Sequence, residues 1–444
     1  MLTHLPPRYL FVAMYNVSLQ NDARKLCKFG VAFQFCITFA HRSANYSVSL
    51  RLYNKAKRMN DKYIPRILET TISEASKYFS VITVTGPRQS GKTTMLRHMF
   101  AQLPYYSLED LDTRDFAMQD PLRFLQLNAE GMILDEVQNV PHLLSYIQGL
   151  VDSQPNRRFI LSGSSNFTLL RNVTQSLAGR TGVFELLPLS LKEVTDSAYT
   201  ADVDRLLYNG LYPAVYKGAN IPRFIYPAYI KTYLEKDIRS QLAIKDLTQF
   251  NTFLRLCANR IGSEFNATAL ANEVGVTSKT IQAWTSILQA SYVVYLMPPY
   301  YENTRKRLIK SPKIYFCDTG LACALLGIEQ PESLAFHPMR GHLFENLIVT
   351  EMLKRRLNNG KEPNIYFYRD SNQNEIDILQ TTPEGLHAIE VKSAMTYSPN
   401  FEKALLKANT LIKSNIARRT IVYTGQIESH NPGGIEITNF RHFD

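Results

Sequence analysis

VITVTGPRQSGKTTMLRHMF, residues 81–100, reads as three successive pieces. Val81 to Thr85 form an apolar, β-branched run of strand type, and Met95 onward carries a helical pattern. Between them Gly86-Pro87-Arg88-Gln89-Ser90-Gly91-Lys92-Thr93 fits G-x-x-x-x-G-K-[ST], and Thr94 continues it into the helix. The chemistry explains the spacing. Two glycines let backbone N–H groups turn toward phosphate oxygens, and the start of a helix favours negative charge there. Lys92 then reaches the β- and γ-phosphates and the Thr93 hydroxyl ligates Mg²⁺, so ATP and Mg²⁺ are the expected cofactors.

The flanking strands supply the rest of a hydrolytic centre. GMILDEVQNVP, residues 131–141, is an apolar strand ending in two acids. Asp135 is expected to hold the hydrated Mg²⁺ and Glu136 to polarise an attacking water. RRFILSGSS, residues 157–165, ends in Ser164, Ser165 and then Asn166, and Ser164 is the candidate sensor of the γ-phosphate. A Gly-Ser turn with no ligand role is the competing reading. In LAGRTG, residues 177–182, Arg180 is expected to stabilise transferring phosphoryl charge, in cis or across a subunit interface. A surface arginine in a loop is its alternative.

Composition bounds the remainder. The 444 residues, 45% hydrophobic and 20% charged, predict about three domains. VAFQFCITFA, residues 31–40, is far short of the ~20 residues that cross a bilayer, so no membrane association is expected. The five cysteines are scattered without a C-x-x-C pair, as in reduced, cytoplasmic proteins. Of the +11 net charge, residues 1–60 carry nine cations against Asp22 alone, which leaves +3 for the body. Residues 1–58 are therefore read as a basic extension outside the folded body, with an arm touching nucleic acid or membrane as the alternative.

Further along, NATALANEVGVTSKTIQAWTSILQ, residues 266–289, holds two short helical patterns joined at Gly275, with Thr277 or Ser278 suited to cap the second. The spacing is that of a helix–turn–helix, and SYVVYLMPPYY and SPKIYFCDTG are expected to add a wing. Its second helix offers little to read DNA beyond Lys279 and Gln282. The tip YYENTRKRLIKSPK, residues 300–313, offers more. Arg305, Lys306, Arg307, Lys310 and Lys313 are candidate phosphate contacts, and Tyr300 and Tyr301 candidate stacking platforms. A solvated charged loop is the bland alternative.

After residue 340 the pattern is helix, three strands, helix, strand. HAIEVKS, residues 387–393, puts Glu390 and Lys392 on one face of a strand, and NEIDILQ, residues 374–380, places Asp377 between apolar neighbours facing the other way. Polar pairs of this kind also decorate ordinary amphipathic strands.

YIPRILE, GPRQSGKTT, ILDEVQ, LSGSS, LAGR and FELLPLSLKEV, followed by GLYPAVY, YLEKDI, SPKIYFCDTGL, FENLIVTEML and AIEVKSA, resemble in content and order the AAA-type ATPases of bacteria and archaea that carry a C-terminal domain of unknown function. The resemblance spans about residues 62–425 and implies ATP binding, with hydrolysis presumed. The C-terminal element order resembles restriction-endonuclease-like folds. That likeness implies Mg²⁺ on Asp377 and Glu390, with Lys392 placing the nucleophile or leaving oxygen. It also selects Glu345 as the helix acid over Glu351, which periodicity leaves equally placed.

The expected fold class is thus α/β. An AAA-type P-loop ATPase domain covers 59–200, a helical and winged-helix-like segment 201–335, and a nuclease-like domain 336–444. The candidate partners are ATP, DNA, and a protein partner or further copies of the chain.

Overall fold

A computed structural model describes residues 63–164, 176–194, 202–216, 221–238, 246–301, 311–431 and 433–443. The basic extension expected over 1–58, Ser165, Asn166, and the tip cations Arg305, Lys306, Arg307 and Lys310 lie outside the described residues.

The first sheet is wholly parallel. Its strands are β1 (Val81–Thr85), β2 (Tyr105–Ser107), β3 (Gly131–Asp135), β4 (Arg158–Gly163) and β5 (Thr181–Glu185), in the order β2-β3-β4-β1-β5. Every residue of β1 and β3 is buried, the signature of strands covered on both faces. Alternate side chains serve opposite layers. Met132, Leu134, Phe159 and Leu161 meet Phe124, Leu144 and Ile147. Ile82, Val84, Ile133 and Ile160 meet Leu68, Ile72 and Leu96 on the other side. The helices are α1 (Leu68–Ala75), α2 (Lys92–Met99), α3 (Leu111–Gln119), α4 (Pro121–Leu125) and α5 (Leu143–Ser153). Parallel strands bring Thr85, Asp135 and Gly163 to one edge, where ligands of such sheets sit.

The middle segment is helical: α6 (Val203–Asn209), α7 (Pro222–Tyr229), α8 (Leu247–Ala258), α9 (Ala267–Val274) and α10 (Ser278–Ala290). Gly275, at φ +78°, ends α9 in the left-handed conformation that suits glycine, and Thr277 starts α10 by accepting from the Thr280 amide at 3.2 Å. A two-stranded antiparallel ribbon follows, β6 (Val294–Met297) with β7 (Lys313–Phe316), and then α11 (Thr319–Leu325).

The C-terminal part is α12 (Arg340–Asn358), β8 (Ile365–Arg369), β9 (Glu375–Thr382), β10 (Gly385–Lys392), α13 (Lys403–Leu411), β11 (Ile416–Tyr423), β12 (Ser429–His430) and β13 (Ile435–Asn439). Its sheet runs β12-β13-β11-β10-β9-β8, with β8, β9 and β10 an antiparallel meander and β11 parallel to β10. A parallel neighbour needs a crossover, and α13 provides it.

One apolar core joins the middle and the C-terminal part, running from Leu207, Phe250 and Leu321 to Phe344, Ile378 and Ile389. Asn346 of α12 fastens the junction. Its amide accepts from Phe316 N and donates to Phe316 O of β7, both at 2.7 Å. Replacing Asn346 by Leu keeps the volume but leaves two buried backbone groups unpaired, at a cost of about 2–4 kcal/mol. The urea midpoint is expected to fall accordingly at an unchanged slope, and an unshifted midpoint contradicts this role.

Candidate active site

The phosphate loop leaves β1 at Gly86, φ +146°, where a Cβ would stand 2.2 Å from the Leu186 carbonyl oxygen. Only glycine fits so close to another backbone. Gln89 and Gly91 also have positive φ, at 62° and 95°, so the loop turns tightly onto the first turn of α2. Lys92 is buried, and its Nζ donates to Gly86 O at 2.9 Å and Pro87 O at 2.8 Å. Burial lowers its pKa to about 8 against the pull of Glu136 and Asp135. The Ser90 hydroxyl is buried inside the loop without a hydrogen-bond partner, Thr94 is exposed on α2, and the Arg88 guanidinium lies 5.3 Å from the centre of the Tyr233 ring.

Asp135 ends β3 beside the loop. Thr93 Oγ1 donates to its Oδ2 at 2.8 Å, Tyr105 donates to the same oxygen at 2.9 Å, and Ser162 donates to Oδ1. A hydroxyl and a carboxylate at one point are the oxygen set a hydrated Mg²⁺ takes. Glu136 next door is left-handed at φ 54°, and its Oε2 accepts from the Ser164 amide at 3.1 Å, the Ser164 hydroxyl at 2.9 Å and Gln138 Nε2. Ser164 therefore grips the acid expected to act on water, an interaction absent from the sequence expectation of a phosphate sensor.

Two further residues went unseen in the sequence. Arg66, just before α1, donates to Ser90 O and Leu187 O at 2.8 Å each and pairs at 3.1 Å with Glu193, both side chains buried. This clamp ties the loop to the chain leaving β5. Its partners lie 24 to 127 residues away, so no local pattern announces it. Gln138 had a signal, its spacing of two from Glu136 across a tight turn.

Arg180 is placed differently from its cis expectation. It precedes β5, and its carbonyl accepts from Val81 N at the amino edge of the sheet. Five strand residues at about 3.3 Å each separate it by roughly 16 Å from the loop edge. Its guanidinium instead makes a two-pronged pair with Asp152 at 2.6 and 2.8 Å.

The C-terminal candidates do come together, as an ion-paired cluster. Lys392 Nζ lies 2.6 Å from Glu390 Oε1 and 3.6 Å from Asp377 Oδ2, and Val391 N donates to Asp377 at 2.8 Å. Glu345 accepts from Tyr315 at 2.6 Å and from Lys313 at 3.3 Å, and Lys313 also pairs with Glu375 at 2.5 Å. Burial, then the Asp377 charge, pushes Glu390 up to about 8, and burial raises Glu345 to about 7. Glu390 Oε2 is buried without a hydrogen-bond partner. Among the described residues, however, no three Asp, Glu, His or Cys side chains converge as metal ligands would. The Lys392 ammonium stands beside Glu390 and Asp377, as expected of it, and the Lys313 ammonium, which was not expected there, stands beside Glu345. Glu351 points elsewhere, accepting from Leu191 N and Lys354, so geometry separates the two helix acids.

Lys313 is 1% exposed and Tyr300 7%, with the Tyr300 hydroxyl 2.9 Å from Ser414. Neither is available as the phosphate contact or stacking platform expected of the tip. Lys279 and Gln282 remain exposed on α10.

Removing the Lys313 ammonium in Lys313→Met breaks a buried ion pair, a loss of about 3–5 kcal/mol. Without it the folded pKa of Glu345, already above its unfolded value, rises further. A raised acid contributes stability at low pH and loses it as pH climbs through the folded pKa. Chemical denaturation should therefore show a larger loss near about pH 8.5 than near about pH 6, and a pH-independent difference contradicts the pairing.

Three regions match known domains: residues 78–195 an AAA domain, 200–332 a domain of unknown function (DUF8612) and 340–443 another (DUF4143). The uncharacterized protein Rv2008c of Mycobacterium tuberculosis is 30% identical over 351 residues, covering 78% of this chain and 77% of that one. The uncharacterized protein MJ1544 of Methanocaldococcus jannaschii is 21% identical, covering 74% and 77%. Among solved structures, the Walker-type ATPase PABY2304 of Pyrococcus abyssi superposes with a TM-score of 0.42 at 14% identity, over 58% of this chain and 94% of that one. No helix among the described residues is long and apolar enough to cross a membrane. With a phosphate loop and Asp135-Glu136 on a parallel sheet inside a matched AAA domain, the chain is a P-loop ATPase of the AAA type, and its likeness over more than three quarters of both chains places it in one family with the mycobacterial protein.

Proposed function

We propose that this ATPase is a Mg²⁺-dependent ATP hydrolase whose turnover drives or gates an action on nucleic acid. The observation that carries the catalytic part is the 2.8 Å hydrogen bond from Thr93 to Asp135, which sets both Mg²⁺ ligands beside the loop. The backbone of Gly86 to Gly91 cradles the phosphates and Lys92 swings from its carbonyl partners to the β/γ oxygens. Bound Mg²⁺ supplies charge neutralisation at those oxygens. Glu136, steadied by Ser164 and Gln138, orients and polarises the water. Arg180 acts, on this reading, across an interface between copies of the chain, since its own loop is out of reach.

The nucleic-acid part is supported by the α9–α10 pair followed by the β6–β7 ribbon, a winged-helix-like arrangement with Lys279 and Gln282 exposed. The helix, three strands, helix, strand order of the C-terminal part supports a restriction-endonuclease-like fold. A second reading is a nucleotide-switched regulator that docks a protein partner, its nuclease-like part inactive. The ammonium group of Lys313, paired with both Glu345 and Glu375, favours it.

Steady-state turnover separates these readings. Lys92→Ala should abolish hydrolysis, and Glu136→Gln should keep ATP binding while turnover falls about 100-fold or more. Duplex DNA at low salt should change the wild-type rate, with the effect fading as salt rises. A rate indifferent to DNA removes the nucleic-acid reading and leaves the docking one. Strand cleavage that disappears in Asp377→Ala, with ATP turnover intact, would restore the nuclease.

A further inference from the structure

We infer that Tyr292 is a positioning residue for ATP turnover, the point at which the helix–turn–helix segment and the C-terminal part act on the phosphate loop. Tyr292 follows α10 by two residues and adopts φ 55°, an uncommon backbone conformation for a bulky residue. The turn is closed by Tyr292 N to Gln289 O at 2.9 Å and Val293 N to Leu288 O at 2.8 Å. The ring is buried in the apolar core shared by the middle and C-terminal parts, and its hydroxyl reaches out of that core to the edge of the ATPase sheet.

There the phenol lies 2.7 Å from Thr85 Oγ1. Thr85 is the last residue of β1 and the one before Gly86. Its hydroxyl has a second, longer contact, 3.4 Å to Phe184 O, so the phenol is its near partner. Across the sheet Thr85 is in register with Glu185, the last residue of β5, whose carboxyl lies near the same phenol. Burial, and then the charge of Glu362 from the segment after α12, pushes that carboxyl up to about 7. Tyr292 thus bonds to the end of β1 and stands near the end of β5, at a junction where all three regions meet.

The link to chemistry is short. The Gly86 carbonyl, one peptide beyond Thr85, takes the Lys92 ammonium at 2.9 Å. A shift of Thr85 moves that carbonyl, and with it the start of the loop and the resting place of the lysine. Small displacements of catalytic groups have large kinetic effects. A phenylalanine would fill the same volume, so packing alone gives the hydroxyl no task here.

The inference rests on ATP hydrolysis at the phosphate loop, and the test keeps the two separable. Tyr292→Phe and Thr85→Val each remove one hydroxyl without changing shape. Each should lower kcat roughly tenfold with KM within about twofold, because positioning and not ground-state binding is lost. The double variant should be no slower than either single one, as expected when both break the same interaction. A kcat for Tyr292→Phe equal to wild type, or a double variant slowed by the product of the two effects, overturns the inference and leaves the ATPase reading standing. Absence of turnover in wild type sinks the ATPase reading instead. In that case, or if Thr85→Val does not fold, hydrogen exchange at the amides of residues 86–93 in Tyr292→Phe decides whether the hydroxyl positions the loop: faster exchange than wild type upholds that positioning, and equal exchange overturns it.

Discussion

A missing side chain organises this molecule: at Gly86 the backbone passes so close to the Leu186 carbonyl that a single methyl would overlap it. That approach pins the start of the phosphate loop to the chain leaving β5. Everything around it is arranged to hold the same seam. The Leu186 amide donates to Thr85 O, and Arg66 reaches across from the outside to Ser90 and Leu187. The loop is therefore tied down at its root, the arrangement electrostatic preorganisation calls for, because donors that must reorganise during reaction contribute little.

The seam also explains why the middle and C-terminal parts are not appendages. Lys354 of α12 donates to Leu189 O, Glu351 accepts from Leu191 N, and Asp318 at the start of α11 accepts from Leu211 N. Each of these bonds ends on or near the chain that follows β5. Pro213 in turn lies 3.8 Å from where a Gly91 Cβ would stand. The phosphate loop and the chain after β5 are therefore in direct contact with regions far away in sequence.

How much of this was legible beforehand follows from the range of each interaction. The strand, loop and helix of residues 81–99 were readable because periodicity and motif are local, and Asp135 because it closes a second apolar run. The Gly275 turn was readable for the same reason. Ser164 was located but its partner was not, since hydrogen bonding to Glu136 depends on the left-handed kink at that residue. Lys313 and Tyr300 looked like the base of an exposed basic tip. Pairing of β6 with β7 carries Lys313 inward to Glu345 and Glu375, a destination set by tertiary pairing and not by composition. Arg180 fell at the wrong end of its strand for a cis role because sequence shows that an arginine is near a strand and not which edge of the sheet it meets.

The central claim is that the Gly86–Thr93 loop is a built cradle for the phosphates of ATP, with the Lys92 ammonium as its counter-charge. Titration calorimetry of the nucleotide-free protein with ATP and Mg²⁺ tests it most directly. One site per chain is predicted. Because the free Lys92 titrates near about 8 and must be protonated to meet phosphate, affinity should weaken by up to about tenfold per pH unit above that point. A folded protein that takes up no ATP, or whose Lys92→Ala variant binds as tightly as wild type, contradicts the account.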